Sequence, residues 1–225
     1  MIGGDWYEGL FVPPNTLAVV VGDVVGHGLS AAADMALIRG LITALIQDGV
    51  AVADVLMRVS RVLQHRPEDV LATAVLVVTD AANGTITYST AGHPPPVVVQ
   101  PDGSIMLLDQ ANAPMLGIGH SQPTPRTVDF APGARLIMYT DGLVERRDRP
   151  YTAGIKELSH ILANHPTRLD RHECIDLLIK RLVGDAGTDD IAVVVIDNTT
   201  PTTPSPSPQP QPQLRPPDND STTSP

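Results

Sequence analysis

Thr16-Leu17-Ala18-Val19-Val20-Val21-Gly22-Asp23-Val24-Val25-Gly26-His27-Gly28-Leu29 is the stretch on which the fold turns. Its first half is an apolar run of strand length, which predicts a buried strand over 16–22. The run stops at Gly22-Asp23, so a carboxylate stands at the strand end, just before the Gly26-His27-Gly28 turn. Beyond that turn Leu29, Ala32, Ala33, Ala36, Leu37, Leu41, Ala44 and Leu45 recur at i, i+3, i+4 spacing. That period predicts a helix over 29–47. A second helix is predicted over 51–64, ending before Pro67.

A β-rich block follows. Residues 72–79 read as a strand, and Asn83-Gly84 is a strong hairpin turn signal. Residues 85–90 alternate as the returning strand. Residues 96–100 and 104–108 flank Asp102-Gly103 as a second hairpin, and 134–140 form another strand. Helical patterns occupy 152–163 and 169–183, and 191–196 closes the fold as a buried strand. Sequential hairpins predict mostly antiparallel sheet, and segregated helices predict an α+β class with helices on the sheet faces.

The folded body is assigned to 1–198. From Pro201 the chain is Pro, Thr, Ser and Gln with almost no apolar side chains, so 199–225 is expected to be a disordered tail. The body's aromatic content is low, 3% over the whole chain, so its core must be built from Val, Leu, Ile and Ala. A formal net charge of −10 argues against a nucleic-acid binder, which needs a basic stripe, and against an anionic membrane surface. It does not exclude a phosphorylated substrate, because bound cations reverse the sign of an acidic pocket. The single cysteine, Cys174, excludes an intramolecular disulfide and a thiolate zinc cluster; it sits in an apolar-periodic segment and reads as a packing residue. No stretch is read as approaching the roughly 18 apolar residues of a membrane span. The start lacks the basic and apolar regions of a signal peptide. The expected location is the cytoplasm.

The carboxylates that stand out sit at strand ends beside glycine or a second aspartate: Asp5 after Gly3-Gly4, Asp23 after Gly22, Asp141 before Gly142, and Asp189 before Asp190. Taken singly, each reads more simply as a turn residue. Together, four strand ends can converge on one edge of a sheet pair, where gathered carboxylates repel one another and divalent cations relieve the repulsion. Oxygen ligands of this kind suit magnesium or manganese.

Six motifs then resemble one family in its own order. Gly3-Gly4-Asp5-Trp6-Tyr7-Glu8 resembles the GGDWYD opening of bacterial SpoIIE-like phosphatases, the RsbU/SpoIIE branch of the PPM, or protein phosphatase 2C, superfamily. Residues 22–32 resemble the family's GDVSGHGxxAA segment, and Thr90-Ala91-Gly92-His93-Pro94-Pro95-Pro96 its AGHPPP turn. Pro114-Met115-Leu116-Gly117-Ile118 is similar to its PLG(V/I) segment, residues 139–146 to its YTDGLxE motif, and Asp189-Asp190-Ile191 to its terminal DD(I/M) motif.

The resemblance implies an α-β-β-α sandwich of two mainly antiparallel sheets. It also implies a sheet short of its first strand, since the family carries another strand before the opening motif. It implies a site for two divalent cations, manganese or magnesium. Asp23 would bridge both ions, the Val24 carbonyl would bind the second, Asp141 and Asp189 would complete the first, and Asp5 would act through water. Asp190 is the alternative to Asp189. The implied activity is hydrolysis of phosphoserine or phosphothreonine, with a STAS-type anti-anti-sigma protein as substrate. A homodimer is a further expected partner state. His27 is the candidate acid for the leaving alkoxide, with packing inside the glycine turn as the alternative. His93 reads as a structural hydrogen-bonding residue. Two other functions compete: an inactive phosphatase-like binding module, and a hydrolase of small phosphate esters. The absence of a GxxxxGK[ST] loop weakens a nucleotide substrate.

Overall fold

The computed structural model describes residues 3–13, 16–119, 124–146, 148–165, 169–184 and 190–199. The expected tail over 199–225 lies outside these residues except for Thr199.

The apolar run forms β2, Thr16–Val24, an inner strand next to the edge of a sheet, and it is apolar throughout because both of its faces are covered. Ala18, Val20 and Val24 pack with Ile38, Ile42, Val55, Leu56 and Val59 of two helices, α1 (Leu29–Gln47) and α2 (Val52–Gln64). The alternate residues Val19 and Val21 point the other way, into a core shared with a second sheet. The next strands are β3 (Ala72–Asp80) and β4 (Thr85–Ala91), antiparallel across the Asn83-Gly84 turn. β3 splits its side chains as β2 does: Ala74 and Leu76 face the helices, Val75 and Val77 the second sheet. Each such buried aliphatic side chain contributes about 1.5–3 kcal/mol relative to exposure.

The second sheet is built from β5 (Val97–Val99), β6 (Ile105–Leu107), β9 (Arg135–Tyr139) and β10 (Val193–Asp197), in the order β10-β9-β5-β6. Leu136 and Met138 face the first sheet. Val97, Val99, Ile137 and Tyr139 face α3 (Tyr151–Asn164) and α4 (Arg171–Leu178), where Leu158, Leu162, Cys174 and Leu178 cover them. Three apolar layers therefore separate four structural layers, the expected α-β-β-α sandwich.

Three strands were not anticipated. β1, Asp5–Val12, pairs with β2 along its whole length as the edge of the first sheet. Its exposed positions, including Tyr7 and Phe11, and its two glycine neighbours weaken the strand pattern. The two-residue β7 (Asn112–Ala113) and the four-residue β8 (Arg126–Asp129) both pair with β4, and both are too short to show a period. The helix expected through 183 changes pitch after Leu178, and Ile179–Val183 forms a π turn. An i to i+5 repeat stacks Val183 over Leu178, and both are buried.

The expectation that no segment is long and apolar enough to span a membrane fails at α1. The helix is 19 residues long and an 18-residue window of it has a mean hydropathy of 1.6, which suffices by length and composition. The packing gives that apolar character a local cause, since Ala31, Ile38, Ile42 and Ile46 are buried in the core. Arg39 on the same helix reaches Glu8 of β1 at 3.1 Å.

Trp6 pairs with Gly22 across β1 and β2, and its ring lies where a side chain at 22 would be. A Cβ on Gly22 would stand 1.4 Å from the ring. Gly22→Ala is therefore expected to cost about 2 kcal/mol by overpacking, read as a lower urea midpoint. An unchanged midpoint would show that the ring does not depend on this gap.

Candidate metal centre

The register of β1 against β2 sets Asp5 directly opposite Asp23, so the two carboxylates project from the same face at one end of the first sheet. The backbone just before Asp5 is held close, with Val24 N–H donating to the Gly4 carbonyl at 3.1 Å. A Cβ on Gly4 would lie 2.2 Å from the Val24 carbonyl oxygen and 2.7 Å from Asp23 Oδ1. Only glycine permits that approach. A Cβ on Gly3 would likewise collide with the carboxylate of Asp190.

The second sheet delivers its groups to the same place. β9 ends at Tyr139, and Asp141 opens a single 3-10 turn, Asp141–Leu143. Between them Thr140 is fully buried. Its hydroxyl donates to Asp5 Oδ2 at 2.7 Å and accepts from the Ala192 N–H at 2.8 Å. One hydroxyl thus ties β1 to β9 and to the segment entering β10. Thr140 does not stand out in the sequence, because a threonine before the Asp-Gly pair carries no signal of its own.

Asp5 reports how crowded the site is. Burial pushes its carboxyl up to about 7, the Thr140 hydrogen bond opposes that rise, and the charges of Asp23 and Asp141 add to it. A hydrogen bond between Asp5 and Asp23 pushes in the same direction. The three carboxylates therefore stand in one another's field, brought together from two sheets. Asp189 lies outside the described residues. Among the described residues no three His, Cys, Asp or Glu side chains make a set that could hold one ion. The electrostatic proximity at Asp5 is the more informative observation, because hard cations take carbonyl and water oxygens beside one or two carboxylates. Asp5, Asp23, Asp141 and the Val24 carbonyl are all hard oxygen donors, and a cation would offset the burial and the neighbouring negative charges that together hold a proton on Asp5. The residues fit magnesium or manganese.

Asp5 opens onto a groove of about 940 Å³ between β1, α1, α4 and the start of β10, lined also by Glu8, Arg39 and Asp190. His27 is exposed and lines a different pocket of about 450 Å³, with Ser30, Asp34, Arg66 and Glu68. His93 is buried between the sheets. Its Nε2 lies 3.1 Å from the Tyr139 carbonyl and its Nδ1 2.8 Å from Thr73 Oγ1. Burial pushes its pKa down to about 3, against a smaller opposing effect of the Tyr139 bond, so the ring is neutral. The structural hydrogen bond expected at His93 is present twice.

Two packed sheets flanked by helix pairs, with acidic strand ends meeting at one edge, define a PP2C-type domain of the PPM class. Residues 13–199 match the family described as Stage II sporulation protein E (SpoIIE), and the chain belongs to that family. Asp5 precedes the matched span, so its place in the site rests on geometry. The phosphoserine phosphatase RsbP of Bacillus subtilis is 25% identical over 170 residues, covering 73% of this chain and 41% of RsbP. The crystal structure of the RsbU and RsbW domains of Rv1364c from Mycobacterium tuberculosis superposes with a TM-score of 0.79 at 33% identity, covering 88% of this chain and 56% of that one. The PP2C phosphatase domain of SpoIIE from Bacillus subtilis, with a fragment of its regulatory domain, gives 0.71 at 19% identity, covering 87% and 58%. The chain spans 36% and 41% of the length of the first curated relatives it matches.

Proposed function

We propose that the chain is a metal-dependent protein serine/threonine phosphatase. The observation that carries this is the convergence of Asp5, Asp23 and Asp141 from two sheets, with a proton held on Asp5 up to about pH 7. PP2C-type phosphatases use magnesium or manganese. Here Asp23, Asp141, Asp189 and the Val24 carbonyl would hold two such cations, with Asp5 joining through water. When bound, the cations supply Lewis acidity that activates water near neutral pH and neutralises the phosphoryl oxygens.

The chain's own residues do the rest. Gly4 lets the β1 backbone approach the Val24 carbonyl. Thr140 fixes Asp5 by its hydroxyl and locks the two sheets at that point. His27, three residues past the β2 end, is the residue we assign as acid for the departing serine or threonine oxygen, although it opens onto the second pocket rather than the Asp5 groove. The phosphorus–oxygen bond to the side chain breaks as one to a water oxygen forms, and no covalent phosphoenzyme is needed. The substrate we favour is a phosphorylated regulatory protein of the STAS-type anti-anti-sigma class, acted on in the cytoplasm. Similarity to RsbP, a phosphoserine phosphatase, supports the phosphoserine part of that choice.

Manganese-dependent release of phosphate from p-nitrophenyl phosphate and from a phosphoserine protein is the expected result, with little from free nucleotides. Full activity in excess chelator would overturn the metal-dependent reading. Preference for nucleotides would overturn the protein substrate.

A further inference from the structure

His93 is a buried titratable group that the proposed reaction does not use, and its position is unusual. It leaves β4 through Gly92, whose φ of 65° lies in the left-handed region. A Cβ there would stand 2.7 Å from Met115 Cγ and 3.2 Å from the Met115 nitrogen. The Gly92 N–H donates to the Ala113 carbonyl at 2.7 Å, and the Thr90 hydroxyl donates to the His93 carbonyl at 3.4 Å. The turn is therefore pinned from several sides, and it drives the imidazole into the space between the sheets.

The hydrogen bonds at the ring have only one consistent direction. A carbonyl only accepts, so Nε2 carries the hydrogen and donates to Tyr139. Nδ1 of the neutral ring is then bare, and Thr73 must donate its hydroxyl hydrogen to it. Thr73 is the cross-strand partner of Asp23 in the first sheet. Tyr139 ends β9 in the second sheet, two residues before Asp141. The ring thus joins the strand opposite one acidic residue to the strand that delivers the other. The one Thr73 hydroxyl proton is thereby committed to the ring.

We propose that His93, acting through Thr73 and the Tyr139 carbonyl, is a positioning residue that sets the spacing of Asp23 and Asp141 for cation binding. This rests on the metal-dependent reading above. The ring's two hydrogen bonds go to Thr73 and to the Tyr139 carbonyl, not to a carboxylate. Its contribution is to fix two sheets that, among the described residues, also meet at this end through apolar contact and the Thr140 hydroxyl. Removal of groups that orient ligands costs about 10–100-fold in metal affinity.

The test is calorimetric titration of the metal-free chain with manganese, alongside thermal melts and kinetics. Thr73→Val removes the hydroxyl and keeps the shape, Thr73→Ser restores the hydroxyl, and His93→Phe keeps a ring without either bond. The expected result is a manganese Kd raised about tenfold in Thr73→Val and in His93→Phe, with circular dichroism unchanged. Thr73→Ser should bind as the parent does. The kcat of Thr73→Val should recover at saturating manganese, a split that general destabilisation would not give. Parent-like binding by a folded Thr73→Val overturns the proposal while leaving the metal site standing. Absence of manganese binding by the parent overturns the metal reading and this inference with it. Should His93→Phe not fold, the threonine pair decides alone.

Discussion

Asp23→Ala is expected to lower kcat/KM on p-nitrophenyl phosphate by at least about a thousandfold, roughly 4 kcal/mol of transition-state stabilisation, with the fold intact. Asp23 is the next-to-last residue of β2 and only half-buried, and the β2 ladder to β1 and β3 is made by backbone groups. Removing its side chain deletes a donor without opening a core cavity. Asp141→Ala should behave alike. Its main-chain carbonyl accepts from the Val144 and Glu145 N–H groups at 2.8 and 2.7 Å, so the 3-10 turn keeps its bonds after the substitution. Both variants should melt no lower than the parent in the absence of metal, because each removes a charge that acts on Asp5. Asp5→Ala should lose less activity, since Asp5 is argued to act through water. Loss of activity accompanied by loss of the circular dichroism signal would show these aspartates to be structural. Retained activity in Asp23→Ala with parent-like manganese dependence would remove Asp23 from the site.

The parts of this fold that could be read from the chain are those where burial imposes a period. β2 and β3 are covered on both faces, so they appear as unbroken apolar runs, and the bounds of α1 and α2 are legible within a residue, although the buried stripe of α1 is Ala31, Ile38, Ile42 and Ile46 rather than the one read from Leu29, Ala33, Ala36 and Ala44, which are exposed. β1 was missed for the opposite reason. It is an edge strand with burial on alternate positions at most, and its stability comes from pairing with β2, a partner that local pattern does not reveal. The site divides in the same way. The aspartates are visible because glycine or a second acid marks each strand end. Which of them approach one another depends on the packing of two sheets, and that depends on contacts more than a hundred residues apart, such as Thr140 on Asp5. Thr73 carries no sequence signal at all. It matters only because the β2–β3 register sets it opposite Asp23 and the Gly92 turn brings His93 to its hydroxyl.

The metal-free protein is expected to lose stability as pH rises towards 7, and bound manganese to restore it. An unfolded Asp5 releases its proton near 3.8, whereas in the folded chain burial and the neighbouring Asp23 and Asp141 charges hold it up to about 7. Between those values the native state binds more protons than the unfolded state, so the Asp5 contribution to unfolding free energy falls with increasing pH. The folded protein is favoured by this group at low pH, and the advantage is gone once pH passes about 7. Other carboxylates slope the opposite way: Asp80, Asp102 and Asp148 are all held low by local hydrogen bonds, and they lose stabilising contacts on acidification. The Asp5 effect is therefore read as a difference between the parent and Asp5→Asn, whose amide oxygen still accepts from Thr140. The asparagine variant should melt higher than the parent at pH 8 without metal, and the gap should close at pH 4. Manganese at about a hundred times its Kd should add about 2.7 kcal/mol to the parent at pH 8. It should add much less to Asp23→Ala. A gap between parent and Asp5→Asn that stays constant from pH 4 to pH 8 would mean that Asp5 titrates as an ordinary surface carboxylate. The carboxylates would then not be close enough to demand a cation.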